Sequence, residues 1–407
     1  MQTVLITGAA SGIGRATAQL AASQGWRCVL VDQDIARLQD VAKALPASAL
    51  GANTTHQVDL RDEAQIQGLA DTVPALDALI NNAGMSERLH EPLTAQPMTQ
   101  WQGVLELNLE APARLISAVT GRLTAGARVV NVASGAGLRA IPWRGLYSPS
   151  KAGLIAQTRA LAQARKDWCV NVLCPGFVRT ELVDTLIHEG RLQPTNAVAK
   201  IPLGRMAGPD EIAQALCFLA SEAARGLQGQ VLSVDGGSSV YGGSQALPPS
   251  PYAPLPANTP MALEVFGDAP DAWAEVGNAD APAGSYRACL DLSLLRTAPQ
   301  ARLSALLTAA SRFEQAHPAS ASLTLLLPPA SAQPWRQAGQ DAGHEAALRM
   351  LLATLACEWG AKALRINAVQ LGEGWSAPAL TPLLRYMAGA RAQYLTGQVL
   401  QWQHSPL

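Results

Sequence analysis

Two residues four apart, Tyr147 and Lys151 in Tyr147-Ser148-Pro149-Ser150-Lys151, combine a phenol and an amine at the head of a helical pattern. At that spacing both side chains project from one helix face. A phenol has an ordinary pKa of about 10, and a neighbouring ammonium favours the phenolate. Such a pair can exchange a proton with a substrate oxygen near neutral pH. Ser134 ends the apolar run Val129–Val132 and is placed to hydrogen-bond the same oxygen. Asn108 falls in mid-helix within Leu105-Glu106-Leu107-Asn108-Leu109, an unfavourable position for an amide without a task.

Upstream, Thr7-Gly8-Ala9-Ala10-Ser11-Gly12-Ile13-Gly14 follows the first apolar run and opens a helix. Glycines there allow a tight turn and let backbone approach a diphosphate, which the free N–H groups of the helix start then bind. Asp32 closes the second strand 18 residues after Gly14. A carboxylate at that place accepts from ribose hydroxyls and repels a 2′-phosphate, which points to NAD over NADP. Asp59, read as the end of another strand, is expected at the adenine amino group. Asn81-Asn82-Ala83-Gly84 offers small residues and amides where backbone lies against adenosine.

These residues need a scaffold. From Met1 to about Tyr241, apolar β-branched runs alternate with helical patterns: Thr3–Ile6, Cys28–Val31, Ala78–Ile80, Arg128–Val132, Cys169–Leu173 and Gln230–Val234. That alternation predicts an α/β fold, a Rossmann-like doubly wound parallel sheet with helices on both faces. Residues 242–260 hold six prolines without hydrophobic periodicity and read as a semi-extended linker. A smaller, truncated α/β module is expected over 261–407, giving two domains, 1–241 and 261–407.

The second region repeats parts of the first. Asn171 in Cys169-Val170-Asn171-Val172 matches Asn367 in Arg365-Ile366-Asn367-Ala368, an offset of 196 (367 minus 171). Leu227–Leu232 matches Leu395–Leu400 at an offset of 168 (400 minus 232). Carried back, the 196 offset sets Gly343, Ala347 and Ala330 where the first half has Tyr147, Lys151 and Ser134. A module without those groups and without a glycine turn is expected neither to bind NAD nor to catalyse.

Residues 1–241 resemble the classical short-chain dehydrogenase/reductase family throughout. The family's glycine turn falls on Gly8, Gly12 and Gly14, its NNAG motif on residues 81–84, and its catalytic tetrad on Asn108, Ser134, Tyr147 and Lys151. Pro175-Gly176-Phe177-Val178-Arg179-Thr180 is similar to its nicotinamide-side loop, and Val234-Asp235-Gly236-Gly237 to its last strand and turn. The resemblance implies cofactor contacts from Gly8, Ser11, Gly12, Ile13, Gly14, Asp32, Asp59, Leu60, Asn82, Ala83, Gly84, Tyr147, Lys151, Pro175, Gly176, Val178 and Thr180. It also implies hydride transfer to or from nicotinamide, with Tyr147 as acid or base, Lys151 on the ribose, Ser134 orienting substrate and Asn108 positioning a relay water. A lid is implied after Thr180, from Glu181 to about Lys200. Trp143, Arg144 and His188 then become substrate candidates, suited to a polyol, sugar or hydroxy acid. A 3-oxoacyl thioester is the alternative substrate, and a non-catalytic NAD-binding scaffold the alternative class.

The formal net charge of −1, with 15% charged and 48% hydrophobic residues, gives no reason for a nucleic-acid or anionic-membrane partner. No apolar run is long enough to span a bilayer. The first strand begins at once, leaving no room for a leader, so a cytoplasmic location is expected. The six cysteines and six histidines lack metal-ligand spacing, and no metal is expected. In the family, the elements kept in the second region are those that pack subunits together. Residues 262–407 are therefore expected to act as a built-in pseudo-subunit, a dimer of such chains imitating a tetramer.

Overall fold

A computed structural model describes residues 2–86, 98–141, 145–190, 192–267, 273, 276–277, 281–329 and 335–403. Contacts divide the chain into two units, one within Met1–Glu189 and Gly208–Leu232, the other within Gly190–Ala207 and Ser233–Pro406.

The first sheet is parallel and seven-stranded, in the order β3-β2-β1-β4-β5-β6-β7. Its strands are β1 (Thr3–Thr7), β2 (Arg27–Asp32), β3 (Thr54–Gln57), β4 (Leu76–Asn81), β5 (Leu123–Val132), β6 (Cys169–Pro175) and β7 (Val231–Val234). Between them run α1 (Gly12–Ser23), α2 (Ile35–Ala44), α3 (Glu63–Thr72), α4 (Met98–Leu105), α5 (Ala111–Ala118), α6 (Tyr147–Ala164), α7 (Glu181–His188), α8 (Pro194–Val198) and α9 (Pro209–Leu219). Strands covered on both faces must be apolar nearly throughout, and β1, with all five residues buried, is. The α1 helix packs on α9, and α3 on α5. Under α3 lies one apolar cluster joining Leu5, Leu79 and Val129 of the sheet to Ile66, Leu69, Val73 and Leu115.

The second sheet is also parallel, in the order β12-β11-β10-β9-β8. It comprises β8 (Met261–Phe266), β9 (Tyr286–Asp291), β10 (Ala321–Leu327), β11 (Arg365–Leu371) and β12 (Val399–Trp402), with α10 (Arg302–Ala316), α11 (Trp335–Trp359) and α12 (Ala377–Ala388). This is the order of β1, β4, β5, β6 and β7 without β2 and β3. The likeness reaches single bonds. Asn171 Nδ2 donates to Leu227 O (2.7 Å) and its Oδ1 accepts from Gln230 N (2.9 Å). Asn367 Nδ2 donates to Leu395 O (2.9 Å) and its Oδ1 accepts from Gln398 N (3.0 Å).

Register corrects the offset carried back above. Arg128 pairs with Cys169, and Ser322 with Arg365. The offset is thus 196 on β6 and β11 but 194 (322 minus 128) on β5 and β10. The helices follow 194: a Cβ on Gly229 would meet Ala162, and one on Gly397 would meet Ala356. Lys151 therefore corresponds to Glu345, Tyr147 to Asp341 and Ser134 to Pro328, since two residues enter between helix and strand. Ala330 itself lies outside the described residues. Glu345 accepts from Gln370 Nε2 (3.0 Å) and Arg349 (2.8 Å), so no amine occupies the lysine's place.

The units also differ from the division at 241. Residues 190–207 and 233–241 belong with the second unit. There Leu203 N donates to Gly236 O (3.0 Å), Gly236 N to Tyr394 O (3.1 Å) and the Tyr394 hydroxyl to Arg205 O (2.9 Å). The proline-rich stretch is no free tether. Leu247 N bonds Ala199 O (3.0 Å), Ser250 N bonds Gly204 O (3.1 Å), and Leu255 exchanges two bonds with Gln393 (2.7 and 2.8 Å). Proline keeps such a strap extended and lowers the entropy lost in laying it down.

Candidate active site

The glycine turn is built by steric exclusion. Gly8 and Gly12 hold φ of +65° and +52°, where a side chain strains the backbone. A Cβ on Gly14 would stand 2.0 Å from Gly8 O and 2.6 Å from Asn82 Nδ2, so α1 starts directly against the turn. Ser11 takes the N-cap position of α1 without a side-chain cap bond, and the first turn carries no acid. The helix start therefore offers its N–H groups and positive end to an anion. Asn82 ties the NNAG segment to this turn, its Nδ2 donating to Thr7 O (3.0 Å) and Gly8 O (3.2 Å). Asp32 closes β2, and its carboxylate accepts from Ala10 N (3.0 Å) and Asp34 N (3.1 Å). The cradle that a Cβ would fill, the anion-attracting helix start and this carboxylate together fit a nicotinamide dinucleotide.

Asp59 differs from expectation. β3 stops at Gln57, and the Asp59 carboxylate is taken by Arg61 through Nε (3.0 Å) and Nη2 (2.7 Å). That bond holds its pKa below the usual carboxylate range. This carboxylate, expected at the adenine amino group, carries that local pair and stays 34% exposed. Leu60 is 7% exposed and belongs to the core.

Tyr147 is the first residue of α6, and Lys151 follows one turn later. Lys151 is buried, and its Nζ donates to Val132 O (2.9 Å). Burial pushes its amine down to about 8. Gly84 is what admits this amine, since a Cβ there would lie 3.1 Å from both Lys151 Nζ and Asn108 Oδ1. Ser134 sits two residues past β5 as the N-cap of a short 3-10 turn, its Oγ accepting from Ala136 N (3.1 Å).

Asn108 lies in a π-helical turn, Glu106–Glu110, between α4 and α5. It is fully buried. Its Oδ1 accepts from Met85 N (2.8 Å), and its Nδ2 donates to Met85 O (2.8 Å) and Ser150 Oγ (3.1 Å). Such turns loosen backbone bonding and recur at functional sites. Two groups beneath the site were not anticipated: Asn131, which accepts from Asn81 Nδ2 (2.8 Å), donates to Thr158 Oγ1 (2.9 Å). A polar residue inside the otherwise apolar end of β5 was the available signal for Asn131.

Past β6, Val178 is buried and its carbonyl accepts from Thr180 N (2.9 Å). Thr180 caps α7, and its methyl would meet a Cβ on Gly12 at 3.3 Å, which brings this loop to the glycine turn. Glu181 was missed. Its Oε2 accepts from Gly12 N (3.1 Å), and its other oxygen pairs with Arg15. An acid immediately after the phosphate-side threonine was the signal; its carboxylate stands where a helix start would receive phosphate. His188 is exposed at the end of α7. Trp143 and Arg144 lie outside the described residues. Among the described residues, no cluster of histidine, cysteine or acid side chains could hold a metal, and no helix is long and apolar enough to cross a membrane.

A family model described as enoyl-(acyl carrier protein) reductase matches residues 8–239. The uncharacterized short-chain type dehydrogenase/reductase y4vI of Sinorhizobium fredii is 35% identical over 242 residues. That match covers 58% of this chain and 43% of the relative, so the chain spans less than half of that protein's length. The 3-oxoacyl-[acyl-carrier-protein] reductase FabG of Thermotoga maritima is 33% identical, covering 57% of this chain and 96% of the relative. Among solved structures, one described as an NAD(P)-dependent gluconate 5-dehydrogenase from Beutenbergia cavernae, with NADP bound at low occupancy, is 30% identical. It superposes with a TM-score of 0.52, covering 59% of this chain and 97% of that one.

Proposed function

Since the chain belongs to the short-chain dehydrogenase/reductase family of nicotinamide-dependent oxidoreductases, we propose that it prefers NAD and interconverts a secondary alcohol and its carbonyl compound. The site would take a polyol, sugar or hydroxy acid. When bound, the nicotinamide supplies or accepts the hydride. Gly8, Gly12, Gly14 and the start of α1 would hold the diphosphate, Asp32 the adenosine ribose, and Thr180 the nicotinamide side. Tyr147 gives its phenolic proton to the substrate oxygen in reduction and removes one in oxidation. Lys151 keeps that phenol acidic, Ser134 fixes the oxygen, and Asn108 holds the π turn against Met85 and Ser150.

The observation that carries the coenzyme reading is Asp32, anchored by Ala10 and Asp34 at the end of β2. A carboxylate there accepts from two ribose hydroxyls and repels a phosphate on either. Asp32→Ala is expected to lower kcat/KM for NAD by about ten- to a hundredfold, the loss of one or two charge-assisted bonds. NADP should be affected far less. Wild-type protein that used NADP as well as NAD would overturn the assignment. The Thermotoga maritima relative favours a second reading, reduction of a 3-oxoacyl thioester. Turnover of acetoacetyl thioesters above that of polyols and hydroxy acids would select it.

Residues 262–407 are read as a pared-down second copy of the fold, serving as a pseudo-subunit. The shared strand order and the paired Asn171 and Asn367 clasps support this. Deleting 242–407 is expected to leave an insoluble fragment, because Ile201 and Leu203, fully or nearly buried, belong to the second unit. A soluble, fully active fragment with unchanged assembly, measured by light scattering, would count against it.

A further inference from the structure

In the first unit the sheet row Leu5–Leu79–Val129 lies in register under α3. The same row in the second unit is Glu264–Cys289–Leu323. No strand pairs beyond β8, and no helix between β8 and β9 corresponds to α3 among the described residues. On this face lies a cavity of about 440 Å³, lined by residues of β8, β9 and α10, by residues 317–319 and by Leu323 of β10. That size suits a small molecule.

One wall is apolar. Phe313 is 3% exposed, and its ring lies tilted against Trp359 (5.4 Å) and His317 (4.9 Å). Phe266 lies under the Arg312 guanidinium (4.2 Å to its ring centre). Arg312 is already neutralised by the buried Asp291 (2.5 Å). Cys289 Sγ and His317 Nε2 share a hydrogen bond (3.4 Å). Burial pushes that thiol up to about 12 and the imidazole below its ordinary value, so both are uncharged at neutral pH.

Among the described lining residues two formal charges are left, Glu264 and Arg287, both exposed. Glu264 faces Cys289 in register, and Arg287 stands two residues before Cys289, so the two share a sheet face. Both act on His317. Among the described residues neither forms an ion pair. A ligand with one charge meets one opposite and one like charge in this pair, whereas a dipolar ligand meets an opposite charge at each end.

We propose that this cavity binds a free α-amino acid with an apolar side chain, its ammonium taken by Glu264, its carboxylate by Arg287 and its side chain by Phe266 and Phe313. The site is built from other residues than the oxidoreductase centre and does not rest on the coenzyme or substrate reading.

Calorimetric titration of the full chain, without nicotinamide coenzyme, tests it. The probes are L-leucine and L-phenylalanine against 3-phenylpropanoate, which lacks the ammonium, and 2-phenylethylamine, which lacks the carboxylate. At least one amino acid is expected to bind saturably and at least about tenfold more tightly than either analogue. Glu264→Gln should weaken amino-acid binding by a similar factor and leave 3-phenylpropanoate unchanged. Arg287→Gln should do the same with 2-phenylethylamine unchanged. Both residues are exposed, and unaltered melting of the free variants confirms folding. Absence of amino-acid binding, equal binding of a singly charged analogue, or unchanged affinity in both variants overturns the proposal.

Discussion

Tyr147→Phe is expected to lower kcat by about 10²–10⁴-fold, the usual worth of a positioned acid or base. Coenzyme affinity and melting temperature should stay close to those of the native protein. The substitution removes one oxygen from the first residue of α6 and leaves the ring, so the helix start and the glycine turn are untouched. Absorbance of the reduced nicotinamide gives the rate over a panel of secondary alcohols and ketones, and coenzyme titration gives the affinity. A phenylalanine variant that kept more than a tenth of the native rate would remove Tyr147 from the proton transfer. Native protein that bound coenzyme but turned over no alcohol, ketone or thioester would instead favour a nucleotide-binding scaffold.

Lys151→Met should abolish turnover and yet make the protein more stable at neutral pH. The amine is buried, with the Val132 carbonyl as its hydrogen-bond partner, and burial lowers its pKa from 10.5 to about 8. A group charged at pH 7 under those conditions costs on the order of 3 kcal/mol. Methionine is apolar and of similar length. It relieves that cost but leaves the Val132 oxygen unpartnered, so the net gain is on the order of 1–2 kcal/mol, or a few degrees in melting temperature. The pH dependence has a definite sign. Between about pH 8 and 10.5 the unfolded chain still holds the lysine proton and the folded protein does not, so native stability rises with pH across that window. Below about 8 the whole cost is present. The stability difference between variant and native protein should therefore shrink as pH rises from 8 to 10.5. Melting scans at stepped pH measure it. A variant less stable than native protein at pH 7, or a difference constant with pH, would show that the amine is not strained by burial. A stability cost kept at such a position is what a functional residue leaves behind.

Glu181 bears on coenzyme entry. Its carboxylate accepts from Gly12 N–H and pairs with Arg15, so it occupies the anion-attracting end of α1. A diphosphate held at the same N–H would have to displace this carboxylate, which belongs to the first residue of α7.

What the amino-acid order determined by itself was local. Gly8, Gly12 and Gly14, the apolar strands and the Tyr147–Lys151 spacing each report their conformation through neighbours a few residues away, where sterics and periodicity act directly. The parallel sheet and its first strand–turn–helix unit followed from them. Tertiary structure alone decided the rest. Arg61 pairs with Asp59; Asn108, inside a π turn, is clasped by Met85 and Ser150; Glu181 reaches Gly12 across 169 residues of chain. The two-residue difference between helix and strand offsets appeared only through sheet pairing, which sets register by hydrogen bonds between segments far apart in sequence. The assignment of residues 190–207 and 233–241 to the second unit has the same origin. Composition cannot report which partner a polar or apolar group meets, because that depends on the free energy of the whole packed arrangement and not on the group's neighbours along the chain.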